Sequence, residues 1–331
     1  MNSGCEESRA PPMPWHAGIW QRLSASYHGG QLGHALLFHG PVGVGKNRLA
    51  EDLMRLVLCE EPGLHACGAC RSCHLFDIGN HPSAWRLTPG EAGGIVGIDT
   101  VRELVGSLTL TTQRGGAKCA MISPAEAMNR SAANALLKTL EEPPGSSLLL
   151  LISHVPSALP ATIRSRCQSI AFAMPPFDDA QSWLETCAPD SIPFLAEAEG
   201  APLEAIRLAE EGVGARLETL REEILVLARG QGDPVDTVAE WRRELDASFV
   251  VRAMSRLAHG LVCLKFDLPL PFLLDESVWS PWAEGLEFTA LFRLCDELKR
   301  VEADLRSSIS LNEQLMLEEL AVRWSRLAES R

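Results

Sequence analysis

Two groups of residues in this chain could do chemistry on their types and spacing alone. The first is Gly40-Pro41-Val42-Gly43-Val44-Gly45-Lys46, a G-x4-G-K run. Glycines let backbone amides turn inward onto phosphate oxygens, a following helix N-terminus adds positive dipole, and Lys46 adds a full charge. A plain glycine turn with a surface lysine is the bland reading. The run lies between an apolar strand and a helical pattern, which favours the phosphate loop. Hydrolysis needs more than a cradle. The residue after the lysine should be Ser or Thr, whose hydroxyl ligates Mg²⁺, and here it is Asn47. A second strand should end in carboxylates, yet Cys119-Ala120-Met121-Ile122 runs into Ser123-Pro124. Glu126 stands a little further on, beyond a proline turn. With metal ligands missing on both sides, Mg²⁺-dependent hydrolysis has little to work with. Gly40, Gly43, Gly45, Lys46 and Asn47 are therefore expected to form a degenerate loop, with ATP binding weak or absent.

The second group is Cys59-x7-Cys67-x2-Cys70-x2-Cys73. Four sulfurs in a compact loop suit tetrahedral Zn²⁺, and the tight run lets the backbone wrap one ion. Iron–sulfur clusters also use closely spaced cysteines, and free thiols are the third alternative. Structural Zn²⁺ is the expectation, because no open coordination position is evident. His65, His74 and His81 lie close by, but four cysteines leave them no vacancy, and each reads as a surface histidine.

The elements that would position these groups follow from periodicity. Ala35-Leu36-Leu37-Phe38 and Leu148 to Ile152 are short aliphatic runs of the kind found in strands covered on both faces. Cys119 to Ile122 is a third strand. Asn47 to Leu58 has helical spacing, with Leu49, Leu53, Leu56 and Val57 on one side. Another helix opens at Asp99, a good N-cap, and a third covers Ser131 to Leu140, stopped by Pro143 and Pro144. Strands alternating with helices up to about Phe172 predict an α/β domain with a parallel sheet. Beyond Pro175 and Pro176 the chain reads as helices, broken at Gly212 to Gly214 and at Gly230 to Pro234. Leu294, Leu298, Val301 and Leu305, then Leu317, Leu320, Trp324 and Leu327, mark an amphipathic helix pair.

Composition narrows the partners. The formal net charge is −13, the wrong sign for a free-standing nonspecific DNA binder, whose affinity comes from neutralising phosphates. Protein partners are the better first expectation. No stretch reaches the roughly 18 consecutive apolar residues of a membrane span, and the N-terminus lacks the basic and apolar regions of a signal peptide. The chain is expected in the cytoplasm, with no membrane partner and with its 10 cysteines as thiols or metal ligands.

Several segments together resemble the clamp-loader branch of the AAA+ family. They are the phosphate loop, the four-cysteine insert, the run from Ala133 to Pro144 (Ala-Asn-Ala-Leu-Leu-Lys-Thr-Leu-Glu-Glu-Pro-Pro) and the Ser165-Arg166-Cys167 tripeptide. The resemblance is strong over the first half; in the C-terminal half it rests on helical character and Leu311-Asn312-Glu313-Gln314-Leu315. It implies an AAA+ P-loop domain over 1–172 with a zinc insert at 59–73, a small helical lid over 173–212 and an all-helical collar over 213–331. It also implies a hetero-pentamer with gamma/tau and delta subunits, acting through the complex on the sliding clamp and primed DNA for a DNA-directed DNA polymerase, a nucleotidyltransferase. In that family the Ser-Arg-Cys arginine reaches a neighbouring subunit's ATP, so Arg166 is the expected trans finger, planar and permanently charged. Its alternative is a helix-capping or intra-domain ion pair, and Arg164 is the less favoured candidate. A third departure from the active pattern is Leu203, in Gly200-Ala201-Pro202-Leu203, where a lid arginine would touch phosphate. These losses predict a non-hydrolysing subunit; the alternative is an ATP-hydrolysing gamma/tau-type motor using Lys46, Asn47 and Glu126.

Overall fold

The computed structural model describes residues 13–90, 94–109, 117–268, 276–305 and 312–327. The chain divides into two compact units, 1–207 and 208–331.

The first unit runs α1 (Ala17–His28), β1 (Ala35–His39), α2 (Lys46–Leu58), α3 (Arg71–Asp77), β2 (Ala84–Leu87), α4 (Ile98–Thr109), β3 (Lys118–Ile122), α5 (Arg130–Glu141), β4 (Ser147–Ser153), α6 (Ala161–Arg164), β5 (Gln168–Ala171), α7 (Phe177–Cys187) and α8, which starts at Pro202 and ends at Glu210 in the second unit. The five strands form one parallel sheet in the order β2-β3-β4-β1-β5. The predicted α/β class therefore stands.

Alternation along the strands explains the near-continuous apolar runs. Ala35, Leu37, Ala120, Ile122, Leu149 and Leu151 face one layer, where Val101, Leu104, Leu136 and Leu140 from α4 and α5 meet them. Leu36, Phe38, Cys119, Met121, Leu148, Leu150 and Ile152 face the other, against Leu49, Leu53 and Leu56 of α2. Each fully buried Leu or Ile contributes about 1.5–3 kcal/mol relative to exposure, which favours the continuous apolar stretches of the central strands. The outer strands differ: β2 and β5 are largely half-buried or exposed.

The helix after β2, α4, begins at Ile98, so Asp99 sits in its first turn rather than at the cap. Its carboxylate there still complements the helix dipole. The helix predicted over Ser131 to Leu140 is α5, capped by Asn129, whose Oδ1 accepts from the Ala132 amide at 2.8 Å.

The second unit continues from the end of α8 into α9 (Gly214–Ala228), α10 (Pro234–Glu244), α11 (Ala247–Lys265), α12 (Glu276–Glu284), α13 (Phe288–Leu305) and α14 (Glu313–Arg326). Asp233 caps α10 by accepting from the Val235 and Asp236 amides, with Pro234 pre-set at the first helical position. Trp241 and Trp324 are fully buried with Leu220, Ile224, Val250, Leu257 and Leu298. The Trp241 indole N–H is satisfied by Glu223 Oε2 at 2.7 Å. Helix α11 is long and apolar enough to cross a bilayer by composition, but here its Val250, Met254, Leu257 and Leu261 form this core.

Candidate functional site

The glycine loop leaves the C-terminal end of β1 and feeds α2, as the motif requires. Gly40, Gly43 and Gly45 all have positive φ (142°, 76° and 93°), which any other L-residue would resist. Space is as restrictive as conformation. A Cβ on Gly40 would lie 2.1 Å from the Phe172 carbonyl oxygen, and one on Gly45 would lie 2.2 Å from Met13 Sδ. The loop is closed from above by its own chain. The Leu203 amide, in the first turn of α8, donates to the Gly43 carbonyl at 3.0 Å, and the Trp15 indole donates to the Val44 carbonyl at 3.1 Å.

Lys46 is buried, and its ammonium turns back onto the Gly40 carbonyl at 2.7 Å and onto the Pro41 carbonyl. Burial lowers its pKa to about 8, with Glu126 opposing the fall. A charge meant for phosphate is thus spent on the loop's own carbonyls. Asn47 is exposed at the start of α2, and its Oδ1 accepts from Ser123 Oγ at 2.8 Å. The two positions where an active relative of this motif would place metal ligands share a hydrogen bond with each other.

Glu126 comes near Lys46, but its Oε1 accepts the His154 amide at 2.8 Å and the Val155 amide at 3.2 Å. It staples the turn after β3 to the end of β4. The pKa of His154 beside it is lowered, first by burial and then by the Lys46 charge, with Glu126 opposing the fall. His16 completes the lining; burial brings its pKa down to about 4. Neither histidine was legible as part of this site, since an isolated His carries no spacing signal.

The cysteine cluster is assembled as the spacing predicts. The Sγ atoms of Cys59, Cys67, Cys70 and Cys73 all lie within 4.8 Å of one another, and the Cys59–Cys70 and Cys67–Cys73 pairs are both at 4.0 Å. A tetrahedral Zn²⁺ with bonds of about 2.3 Å sets sulfurs about 3.8 Å apart, so the donor set fits. Backbone amides support it: those of Cys67, Cys70 and Cys73 donate to the sulfurs of Cys59, Cys67 and Cys70, each at 3.3 Å. For Cys70 burial acts against ionisation, but hydrogen bonds from the Cys73 and Glu60 amides and from the Cys73 and Cys67 thiols together bring the thiol to about 6. Burial pushes Cys73 up to about 12. His65 stacks on Trp20 at 4.9 Å and His74 is exposed, whereas His81 is half-buried and bonds Ser72 Oγ at 2.9 Å. That partner makes His81 a structural histidine rather than a surface one.

Arg166 follows α6. Its Nε and Nη2 both reach Glu141 Oε1, at 2.8 and 2.6 Å, and Nη1 donates to the Thr162 carbonyl at 3.1 Å. The intra-domain ion pair weighed as its alternative role is therefore present. Arg164, the last residue of α6, is exposed. The register pairs Gln168 with Leu36 near the start of β1, while the glycine loop leaves its end. Arg166 thus stands at the opposite end of the sheet from Lys46, separated by about 13 Å or more along the strand.

A family model described as "DNA polymerase III, delta subunit" matches residues 15–176. The chain is 34% identical to DNA polymerase III subunit delta' of Pseudomonas aeruginosa, over 95% of this chain and 97% of the relative. It is 32% identical to DNA polymerase III subunit delta' of Escherichia coli strain K12, over 94% of each. Among solved structures, a DNA polymerase III gamma subunit-related protein from Thermotoga maritima superposes with a TM-score of 0.52 at 15% identity, covering 93% of this chain and 99% of that one. That likeness establishes the fold.

Proposed function

The chain belongs to the delta-prime family of DNA polymerase III subunits, and from that premise we propose that it is the non-hydrolysing subunit of a clamp loader that lends Arg166 to a neighbour's ATP. The observation that carries the reading is the pairing of Asn47 with Ser123 beside an inward-turned Lys46. Hydrolysis needs side chains to hold a phosphate-bridging metal and a lysine free to meet the phosphates; here the two ligand positions are bonded to each other and the lysine to the loop's own carbonyls. Nucleotide binding here is weak or absent, and the loop serves as a packed joint between β1, α2 and α8.

The position of Arg166 supports the second half of the proposal. An arginine at the far end of the sheet from its own phosphate loop acts on another subunit's nucleotide if it acts on one at all. Residues 173–212 serve as the lid and 213–331 as the collar that joins gamma/tau and delta subunits in a hetero-pentamer. The complex opens the sliding clamp and sets it on primed DNA in the cytoplasm. Cys59, Cys67, Cys70 and Cys73 would hold one Zn²⁺, which supplies a structural crosslink and no reactive position.

Purified chain assayed for ATP turnover against a Lys46→Ala control tests the reading. Equal, background rates are expected. Mg²⁺-dependent turnover that vanishes in Lys46→Ala would overturn it and revive the gamma/tau-type motor with Glu126 in the metal site.

A further inference from the structure

We propose that Glu141 is the positioning residue of Arg166, holding its guanidinium in the orientation that a neighbouring subunit's phosphate meets. The proposal rests on the trans-finger reading and deepens it. Arg166 follows the last turn of α6, and a free side chain there would spread over many rotamers, each with its own direction for the charge. Three contacts remove that freedom. The Nε–Nη2 edge is taken side-on by one oxygen of Glu141, at 2.8 and 2.6 Å. The Nη1 nitrogen turns to the Thr162 carbonyl at 3.1 Å, with Ser165 Oγ at 3.5 Å. Orientation is thus shared between a carboxylate on α5 and the backbone of α6, and the guanidinium plane is set before any ligand arrives. Pre-organised charge of this kind avoids reorganisation when the transition state forms.

Glu141 occupies an unusual place for a carboxylate. It is the last residue of α5, where the helix dipole disfavours negative charge. The Arg166 guanidinium offsets that cost, so each member of the pair accounts for the other's position. The pair is also anchored to the sheet: His34, next to β1, bonds the Leu140 carbonyl through Nε2 at 2.9 Å. The end of α5 is held while Arg166 remains partly open, with its side chain 36% exposed. Glu142, one residue further on, is exposed and makes none of these contacts among the described residues, which makes it a matched control.

The test uses reconstituted clamp-loader complexes carrying Glu141→Ala, Glu141→Gln, Glu142→Ala, Arg166→Ala or the Arg166→Ala/Glu141→Ala double variant. Clamp-loading rate and the kcat and KM of ATP turnover are read for each. An exposed ion pair is worth little, so Glu141→Ala is expected to slow loading only about twofold to fivefold. The loss should appear in kcat with KM for ATP unchanged. Glu141→Gln keeps an acceptor oxygen and should retain most of the rate; Glu142→Ala should match the unaltered complex. The double variant should be no slower than Arg166→Ala alone, because Glu141 acts through Arg166. Impairment by Arg166→Ala with normal loading by Glu141→Ala, or additive loss in the double variant, would overturn the role of Glu141 while leaving the finger intact. Normal loading by Arg166→Ala would sink the finger itself, and Glu141 with it. Melting curves of the isolated variants separate either result from misfolding.

Discussion

Substituting His16 by Phe should change how the stability of the first unit depends on pH. His16 is 5% exposed, with its ring edge-on to Trp15 at 5.8 Å and to Phe172 at 5.2 Å. A Cβ on Gly45 would lie 2.8 Å from its Cε1, so the ring is tucked under the glycine loop. Burial lowers its pKa from 6.5 to about 4; a hydrogen bond with the Val44 backbone opposes the fall and the Arg48 charge adds to it. Between those values the unfolded chain binds a proton that the native ring refuses. Stability therefore rises with pH across that window and is lost as pH falls through it. With these two pKa values the linkage amounts to about 2 kcal/mol between pH 7.5 and pH 5. Urea unfolding of both proteins over that range gives the difference directly, because the remaining titrating groups are common to both. The wild-type chain should lose about 2 kcal/mol more than His16→Phe on going to pH 5. Parallel stability curves would refute the inference that a neutral His16 is built into the loop.

Chelation should release Cys59, Cys67, Cys70 and Cys73 together, so that native thiol titration gains four groups. Hydrogen exchange should then accelerate around α3 while the central strands stay protected, because the cluster is local; unchanged titration would contradict metal binding. Ser123→Ala should cost about 0.5–1.5 kcal/mol, the net worth of one hydrogen bond, checked by denaturant unfolding. Restoring metal ligands with Asn47→Thr and Ser123→Asp should leave ATP turnover at background, since Lys46 stays bound to Gly40 and Pro41; a rise in turnover would show that the metal ligands were the sole defect.

The parts legible in the sequence were those with a strong local signal. The buried strands β1, β3 and β4 announce themselves because both faces are covered and each carries an unbroken apolar run, at residues 35–38, 119–122 and 148–152. The strands β2 and β5 carry Trp85-Arg86 and Gln168-Ser169 among half-buried and exposed positions, so neither reads as a strand until pairing places it. Helix α1, unrecognised behind the prolines near the N-terminus, has a broken apolar pattern with Leu23 and Ser24 as its buried residues. The breaks at Gly212 and Gly230 appear as positive-φ glycines, and Leu294, Leu298, Leu317, Leu320 and Trp324 are buried as their spacing predicts.

The candidate site divides the same way. The cysteines and the glycine loop have fixed spacings and were found by counting. The Asn47–Ser123 bond spans 76 residues and the Arg166–Glu141 pair 25. Tertiary structure makes those contacts, and no local pattern encodes them.

The central claim is that this subunit contributes an arginine in trans while its own loop stays silent. The most direct measurement is the clamp-loading rate of complexes reconstituted with Arg166→Ala, beside Arg164→Ala and Arg166→Lys. A finger contributes about 10³–10⁵ at the site it serves, and loading needs every site to act, so Arg166→Ala should assemble normally yet load poorly. Total ATP turnover should fall only in part, because other sites keep their own arginines. Arg164→Ala should be milder, and Arg166→Lys should rescue little, since a point charge cannot reproduce a forked contact. Loading at the normal rate by an assembled Arg166→Ala complex would contradict the account and reduce Arg166 to the structural partner of Glu141.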